Sequence, residues 1–227
     1  MPGYLLHYAV VKPELLNNRS FMLGVETPDI LKKHIKLYGV DEARKKYNCL
    51  KTPEMPDYDR LEKRALQPES SNSTEGLHYG VSSNPNIQEC WNELTDEEKN
   101  NPFFRGYVWH ILTDYIMYKR LDIDKKFAES FTAFKDKPNF EEIRKKAVDD
   151  LHQDWDKINF RVKATYPEIV LPREIIDLNV IKYIDDDNLV YISWPVLESV
   201  INLLRTFDPL HSTISEMEDI IKYIIKS

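Results

Sequence analysis

The chain has 227 residues, of which 42% are hydrophobic and 30% charged, with a formal net charge of −7. That length and apolar content suit one large domain with its own core, whereas six glycines are too few for nucleotide folds with Gly-rich phosphate loops or for barrels and sandwiches with many tight turns. The negative balance, without a Lys/Arg run, speaks against duplex nucleic acid as a partner, and no run of about 18 apolar residues is present to make a transmembrane segment.

The opening Met1-Pro2-Gly3-Tyr4 lacks the basic region and cleavage pattern of a signal peptide, so the expected location is cytoplasmic. Cys49 and Cys90 lack the spacing of a disulfide framework or a C-x-x-C site, and read as ordinary thiols of a reducing compartment.

In chain order, residues 3–18 carry Tyr4, Leu5, Tyr8, Val11, Leu15 and Leu16 at helical spacing. A short turn capped by Ser20 is expected to end at Leu23-Gly24. Pro28 then precedes a helix with Ile30, Leu31, Ile35 and Tyr38, closed by Gly39. Residues 40–48 form another short helix. From about 51 to 76, three prolines and the Ser70-Ser71-Asn72-Ser73-Thr74 run mark a polar loop excursion over the surface, or a lid, within which the segment from Pro53 to Tyr58 can still pack locally. Thr95 starts a helix. Residues 102–120 are apolar around nearly the whole helical circumference, the mark of a buried helix.

Residues 139–164 form a long amphipathic helix using Ile143, Ala147, Leu151, Trp155, Ile158 and Val162. Two β-like stretches, 180–183 and 189–192, flank Asp185-Asp186-Asp187-Asn188 and are expected to pair as a small β-hairpin near residues 180–192. Ser193 caps a helix with Pro195 in its first turn, and a last helix runs from about Ser212 to Ile225. The expected fold class is mainly α, one helical domain spanning residues 1–227.

Chemistry concentrates in the six histidines. Two share one pattern: His110-Ile-Leu-Thr-Asp114 and His152-Gln-Asp-Trp-Asp156 both place an imidazole and a carboxylate four residues apart, on one face of a helix, where they can meet one cation. The first pair is the stronger, because Gly106, His110 and Asp114 form a row on an otherwise apolar helix. A carboxylate there must ionise against something positive or be protonated, and the missing side chain of Gly106 is read as room above the pair. A core His–Asp hydrogen bond that fastens helices together is the competing explanation. His152 and Asp156 flank the apolar stripe, and an ordinary solvated helix flank competes there.

The order of short motifs along the chain carries a resemblance. His7 is followed by Phe21-Met22-Leu23-Gly24, Pro28-Asp29, Leu77-His78-Tyr79-Gly80 and then Gly106-x-x-x-His110-x-x-x-Asp114. This ordered set resembles the zinc-dependent phospholipase C family, whose helical fold and trinuclear zinc site are shared with the zinc-dependent single-strand nucleases. It covers residues 1 to about 120, or to about 160 with the last pair. The resemblance implies that Asp29, His78, His110 and Asp114 form one zinc site, with Asp114 bridging to a neighbour that also takes His7. It further implies that His152 and Asp156 hold a third metal, with Asp where the family has Glu.

Two departures stand beside it: family members use a processed N-terminal residue as a ligand, and Arg120 stands where the family has a further His. Arg120 is open to a phosphate contact or an ordinary surface role. His34, five residues after Asp29, is an alternative to His78, which fits the family order better. His211 reads as incidental, and Glu75-x-x-His78 lacks the second copy that a di-iron bundle needs.

A metal-dependent hydrolase follows as the expected function, with two or three zinc ions, or other divalent metals, activating water against a phosphate ester. The expected partner is a small-molecule or lipid phosphate ester. Asp29 is the candidate catalytic residue, acting both as ligand and as the base that aligns water. The alternative is a catalytically degenerate metal-binding or sensing protein of the same fold. Ser/His/Asp catalysis has no Gly-x-Ser-x-Gly elbow to support it.

Overall fold

In the computed structural model, which describes residues 4–53, 55–66, 76–81, 84–172 and 181–226, nearly every regular element is a helix. The mainly α expectation holds. Helix α1 (Tyr4–Ala9) is followed by a tight turn at Pro13–Leu15 and by α2 (Arg19–Tyr38). The Asn18 side chain caps α2 by accepting from the Phe21 N–H, and Gly39, at φ 81°, closes it in a conformation that suits only glycine. The sequence suggested a break before Pro28, but α2 runs straight through it. An internal proline costs about 3 kcal/mol. Burial of Phe21, Met22, Val25, Ile30 and Leu31 along the same helix offsets that cost.

The partner in that burial is α7 (Pro102–Arg120), capped by Asn101 and buried on almost every face as its composition predicts. The α2–α7 contact is the most extensive in the fold. Two glycines make it possible: a Cβ on Gly24 would overlap the Phe103 carbonyl of α7, and a Cβ on Gly106 would overlap the Phe21 carbonyl of α2. The helices therefore touch backbone to backbone. Gly106 makes room for a neighbouring helix, which corrects the expectation that it leaves space above the His–Asp pair.

The remaining helices surround this pair: α3 (Val40–Leu50) on α2, α5 (Ile87–Asn92) on α7, α6 (Asp96–Lys99) before it, and α8 (Ile123–Thr132) between α7 and α9 (Phe140–Thr165). Helices α10 (Trp194–Leu204) and α11 (Ile214–Lys226) complete the C-terminal part, with α11 against α7.

Two expectations need correction. The polar excursion at 51–76 contains α4 (Tyr58–Ala65), anchored by buried Met55, Tyr58 and Leu61; the Tyr47 hydroxyl donates to the Pro56 carbonyl at 2.9 Å. Residues 54 and 67–75, including the Ser-rich run and Glu75, lie outside the described residues. The hairpin near 180–192 is absent: residues 181–192 form no strand, and Val180 lies outside the described residues.

Their backbone instead bonds to α9. The Asp154 carboxylate accepts from the N–H groups of Val190, Tyr191 and Ile192 at 2.7–3.2 Å, while the Lys157 ammonium donates to the Asn188 carbonyl. Groups spent on a helix's side chains are not available for a cross-strand ladder. The strands that do form are tiny, Gly80–Val81 against Asn84–Pro85, directly after the turn that carries His78.

Candidate metal centre

Four elements converge on one point. Helix α1 supplies His7, α2 supplies Asp29, the single turn Gly76–His78 supplies His78, and α7 supplies His110 and Asp114 one turn apart on a common face. All five are buried, none more than 4% exposed. Within the trio His7, His110 and Asp114, and within the trio Asp29, His78 and His110, the ligand atoms lie within 4.8 Å of one another.

The separations are those of atoms around one ion. His110 Nε2 is 3.2 Å from His78 Nε2, His7 Nε2 is 3.4 Å from Asp114 Oδ1, and His78 Nε2 is 3.4 Å from Asp29 Oδ1. Longer approaches of 3.7–3.8 Å link His7 to Asp29, and His78 and His110 to the other Asp114 oxygen. Tetrahedral bonds of about 2.0–2.1 Å place neighbouring donor atoms roughly 3.3 Å apart. The imidazoles of His7 and His110 stack, with centroids 4.0 Å apart at 18°.

The donor atoms are also short of partners. His7 Nε2, Asp29 Oδ1 and both oxygens of Asp114 have no hydrogen-bond partner among the described residues. Buried polar atoms without partners cost on the order of 1–3 kcal/mol each, more when charged, and a cation held among these donor atoms could satisfy several of them at once.

Electrostatics agree. Burial, reinforced by neighbouring imidazoles, pushes His7 and His110 below the usual imidazole value of 6.5 and leaves both neutral. Burial raises the Asp114 carboxyl, against the opposing pull of His110 and His78. Burial acts the same way on Asp29, but there the surrounding His78, His110 and His7 prevail and hold the carboxyl well below its ordinary range. The set is thus two carboxyl groups and three imidazoles, a donor collection suited to a divalent ion.

One detail limits how many ions the cluster can take. His110 Nδ1 donates to the Val25 carbonyl at 2.7 Å, which fixes the tautomer and leaves a single free nitrogen, Nε2. Both trios need that one lone pair, so they are not two independent sites. The Val25 carbonyl carries no side-chain signal and escaped sequence reasoning.

The other residues singled out from the sequence lie elsewhere. His152 is exposed and Asp156 half-buried on α9, and neither belongs to either converging trio. His34 is buried but tilts against Tyr38 rather than joining the cluster, where the structure places His78. Arg120 is half-buried at the end of α7, six residues beyond Asp114, about 9 Å along the helix axis. His211 is exposed and bonded to Asp208. No helix among the described residues is long and apolar enough to cross a membrane.

No protein-family model matches the sequence, and neither a curated protein nor a solved structure matches the chain.

Proposed function

We propose that this protein holds a divalent cation, zinc in the first instance, at His7, Asp29, His78, His110 and Asp114, and that it hydrolyses a phosphate ester there in the manner of the zinc-dependent phospholipase C family. The observation that carries the metal reading is the convergence of five buried side chains whose donor atoms lie 3.2–3.8 Å apart, several without hydrogen-bond partners among the described residues. The hydrolase reading rests on that centre together with the order of the motifs along the chain. A bound divalent ion lowers the pKa of coordinated water toward neutrality and polarises a phosphoryl oxygen.

The chain's own contribution is positional. Val25 fixes the His110 ring, and the α2–α7 backbone contact sets the distance between the helix bearing Asp29 and the helix bearing His110 and Asp114. Asp29, kept ionised chiefly by the His78 side chain beside it, is suited to accept a hydrogen bond from an attacking water and align it. With one free nitrogen on His110, the five residues supply one strong site. A second ion would depend on the carboxylate oxygens left over.

A second reading, a degenerate metal-binding or sensing protein, is favoured by closure. Catalytic zinc sites keep one position open, and structural ones are sealed by protein ligands; none of the five residues is more than 4% exposed.

Elemental mass spectrometry on the purified protein, with Asp114→Asn and Asp29→Asn, separates the readings. Bound zinc lost in Asp114→Asn, together with zinc-dependent hydrolysis of a diester, monoester or phospholipid that fails in Asp29→Asn, supports the hydrolase. Bound zinc with no turnover across the panel supports the sealed site. No zinc even after reconstitution overturns both.

A further inference from the structure

Among the five converging residues, His78 has the least self-sufficient backbone. The other four stand on helices, held by their own hydrogen-bond ladders. His78 ends a single turn, and the chain beyond it takes two positive φ values, 52° at Tyr79 and 138° at Gly80. Glycine suits the second position, where a Cβ would crowd the Asn84 carbonyl at 3.0 Å. Tyr79 has a Cβ, and its left-handed conformation costs about 1–2 kcal/mol. Such a residue keeps that conformation only where its surroundings over-determine it.

The surroundings of Tyr79 do so. The Arg64 guanidinium of α4 lies over its ring, 3.6 Å from the centroid. Its hydroxyl donates to the Glu93 carboxylate at 2.8 Å, and Arg64 pairs with the same carboxylate. Its carbonyl accepts from the Asn86 N–H at 2.7 Å.

The turn before it is held from the same directions. Arg64 donates to the Gly76 carbonyl at 3.3 Å, and the Tyr107 hydroxyl donates to the Leu77 carbonyl. Tyr107 stands three residues before His110 on α7, so the turn is referenced to the helix that bears two of the other donors. The backbone on both sides of His78 is thus fixed by groups outside the turn. Relaxing Tyr79 to a negative φ would redirect the chain next to His78. The His78 Nε2 atom lies 3.2 Å from His110 Nε2 and 3.4 Å from Asp29 Oδ1, separations that a ligand set keeps only when its supports are rigid.

We propose that Arg64, Tyr79 and Glu93 are positioning residues of the metal centre: they clamp the strained backbone around His78 and so hold its imidazole among the other donors. The proposal rests on the metal reading of the cluster. None of the three belongs to either converging trio, so they act only through His78. A clamp that merely fastened α4 to the Glu93 end of α5 would stabilise the fold without any link to that ligand.

Competition titration of zinc against a chromophoric chelator, on the full chain, tests the link. Arg64→Met should weaken zinc binding about tenfold, as loss of an outer partner does. Tyr79→Phe keeps the ring under Arg64 and should weaken it about threefold, the loss of one hydrogen bond. In a His78→Ala background, which leaves four donors, neither change should weaken binding by more than about twofold further. Cobalt loaded in place of zinc should show the visible spectrum of Arg64→Met moving toward that of His78→Ala. Should Arg64→Met not fold, Tyr79→Phe carries the same cycle. Zinc affinity lost in His78→Ala but unaltered in the clamp variants would overturn the clamp and leave the metal reading standing. Equal weakening with and without His78 would show general loosening and overturn it too. No zinc binding by the unaltered chain would remove both readings.

Discussion

Two buried carboxylates in this fold have opposite surroundings. Asp154 on α9 is wholly enclosed and receives the N–H groups of Val190, Tyr191 and Ile192, four contacts of 2.7–3.2 Å in all. Asp114 on α7 is as deeply enclosed, yet neither of its oxygens has a hydrogen-bond partner among the described residues, and its nearest polar neighbours are imidazoles at 3.4–3.8 Å. The first carboxylate is complete within the polypeptide. The second faces only imidazole rings, in a group that could hold a cation. Burial alone does not distinguish a structural acid from a ligand; the direction of the surrounding donors does.

The largest expected effect comes from the completed acid. Asp154→Ala strands three backbone N–H groups, at about 1–3 kcal/mol each before relaxation, and should cost on the order of 4 kcal/mol by denaturant unfolding, with or without metal. A loss under about 1 kcal/mol would erase the contrast.

Next comes pH. His7 and His110 have folded values below the unfolded 6.5. Their stabilisation is therefore complete above about 6.5 and is lost as the pH falls, because the unfolded chain takes up protons first. Metal-free protein should lose up to about 1.4 kcal/mol per pH unit for each of these histidines below that point. Asp114, raised above 3.8, works in the opposite sense: its native state protonates first and offsets part of the loss on acidification through its folded value toward 3.8. A melting series from pH 8 to pH 5 that shows no decline would contradict neutral, buried imidazoles.

Smaller again is Asp114→Asn. In metal-free protein at pH 7 it should be neutral or stabilise by up to about 1 kcal/mol, since it removes a buried charge without an internal partner. Zinc should no longer raise the melting temperature of that variant. The opposite signs expected at positions 154 and 114 are the sharpest form of the comparison. Smallest is His152→Ala, exposed on α9: a change within about 0.5 kcal/mol, with metal content retained.

What could be seen in the sequence follows the range of the interactions involved. His110 and Asp114 are legible because helical spacing alone puts them together. His7, Asp29 and His78 come from three other elements, and only the order of motifs along the chain suggested that they belong with the pair. Gly106 was misread because spacing says that a side chain is missing, not what fills the gap; the answer lies on a helix that begins more than eighty residues earlier.

The expected hairpin failed for a related reason. Its β-branched and aromatic content is real, but the competing partner for the N–H groups of 190–192 is Asp154, an acid beside the apolar stripe of Leu151, Trp155 and Ile158. An acid in that position is a signal the sequence does contain. Tyr58 and Leu61, one helical turn apart, likewise announce α4 inside a stretch whose overall composition reads as loop.

The five converging residues also bear on how the chain is threaded. They lie at positions 7, 29, 78, 110 and 114, so an ion held by all of them would close successive loops across the first half of the chain. It would act as a clasp on distant segments, and long loops are the slow ones to close. Stripping the ion should loosen residues 4–120 far more than α9 to α11, and amide hydrogen exchange would show two halves that share one core yet open on separate clocks.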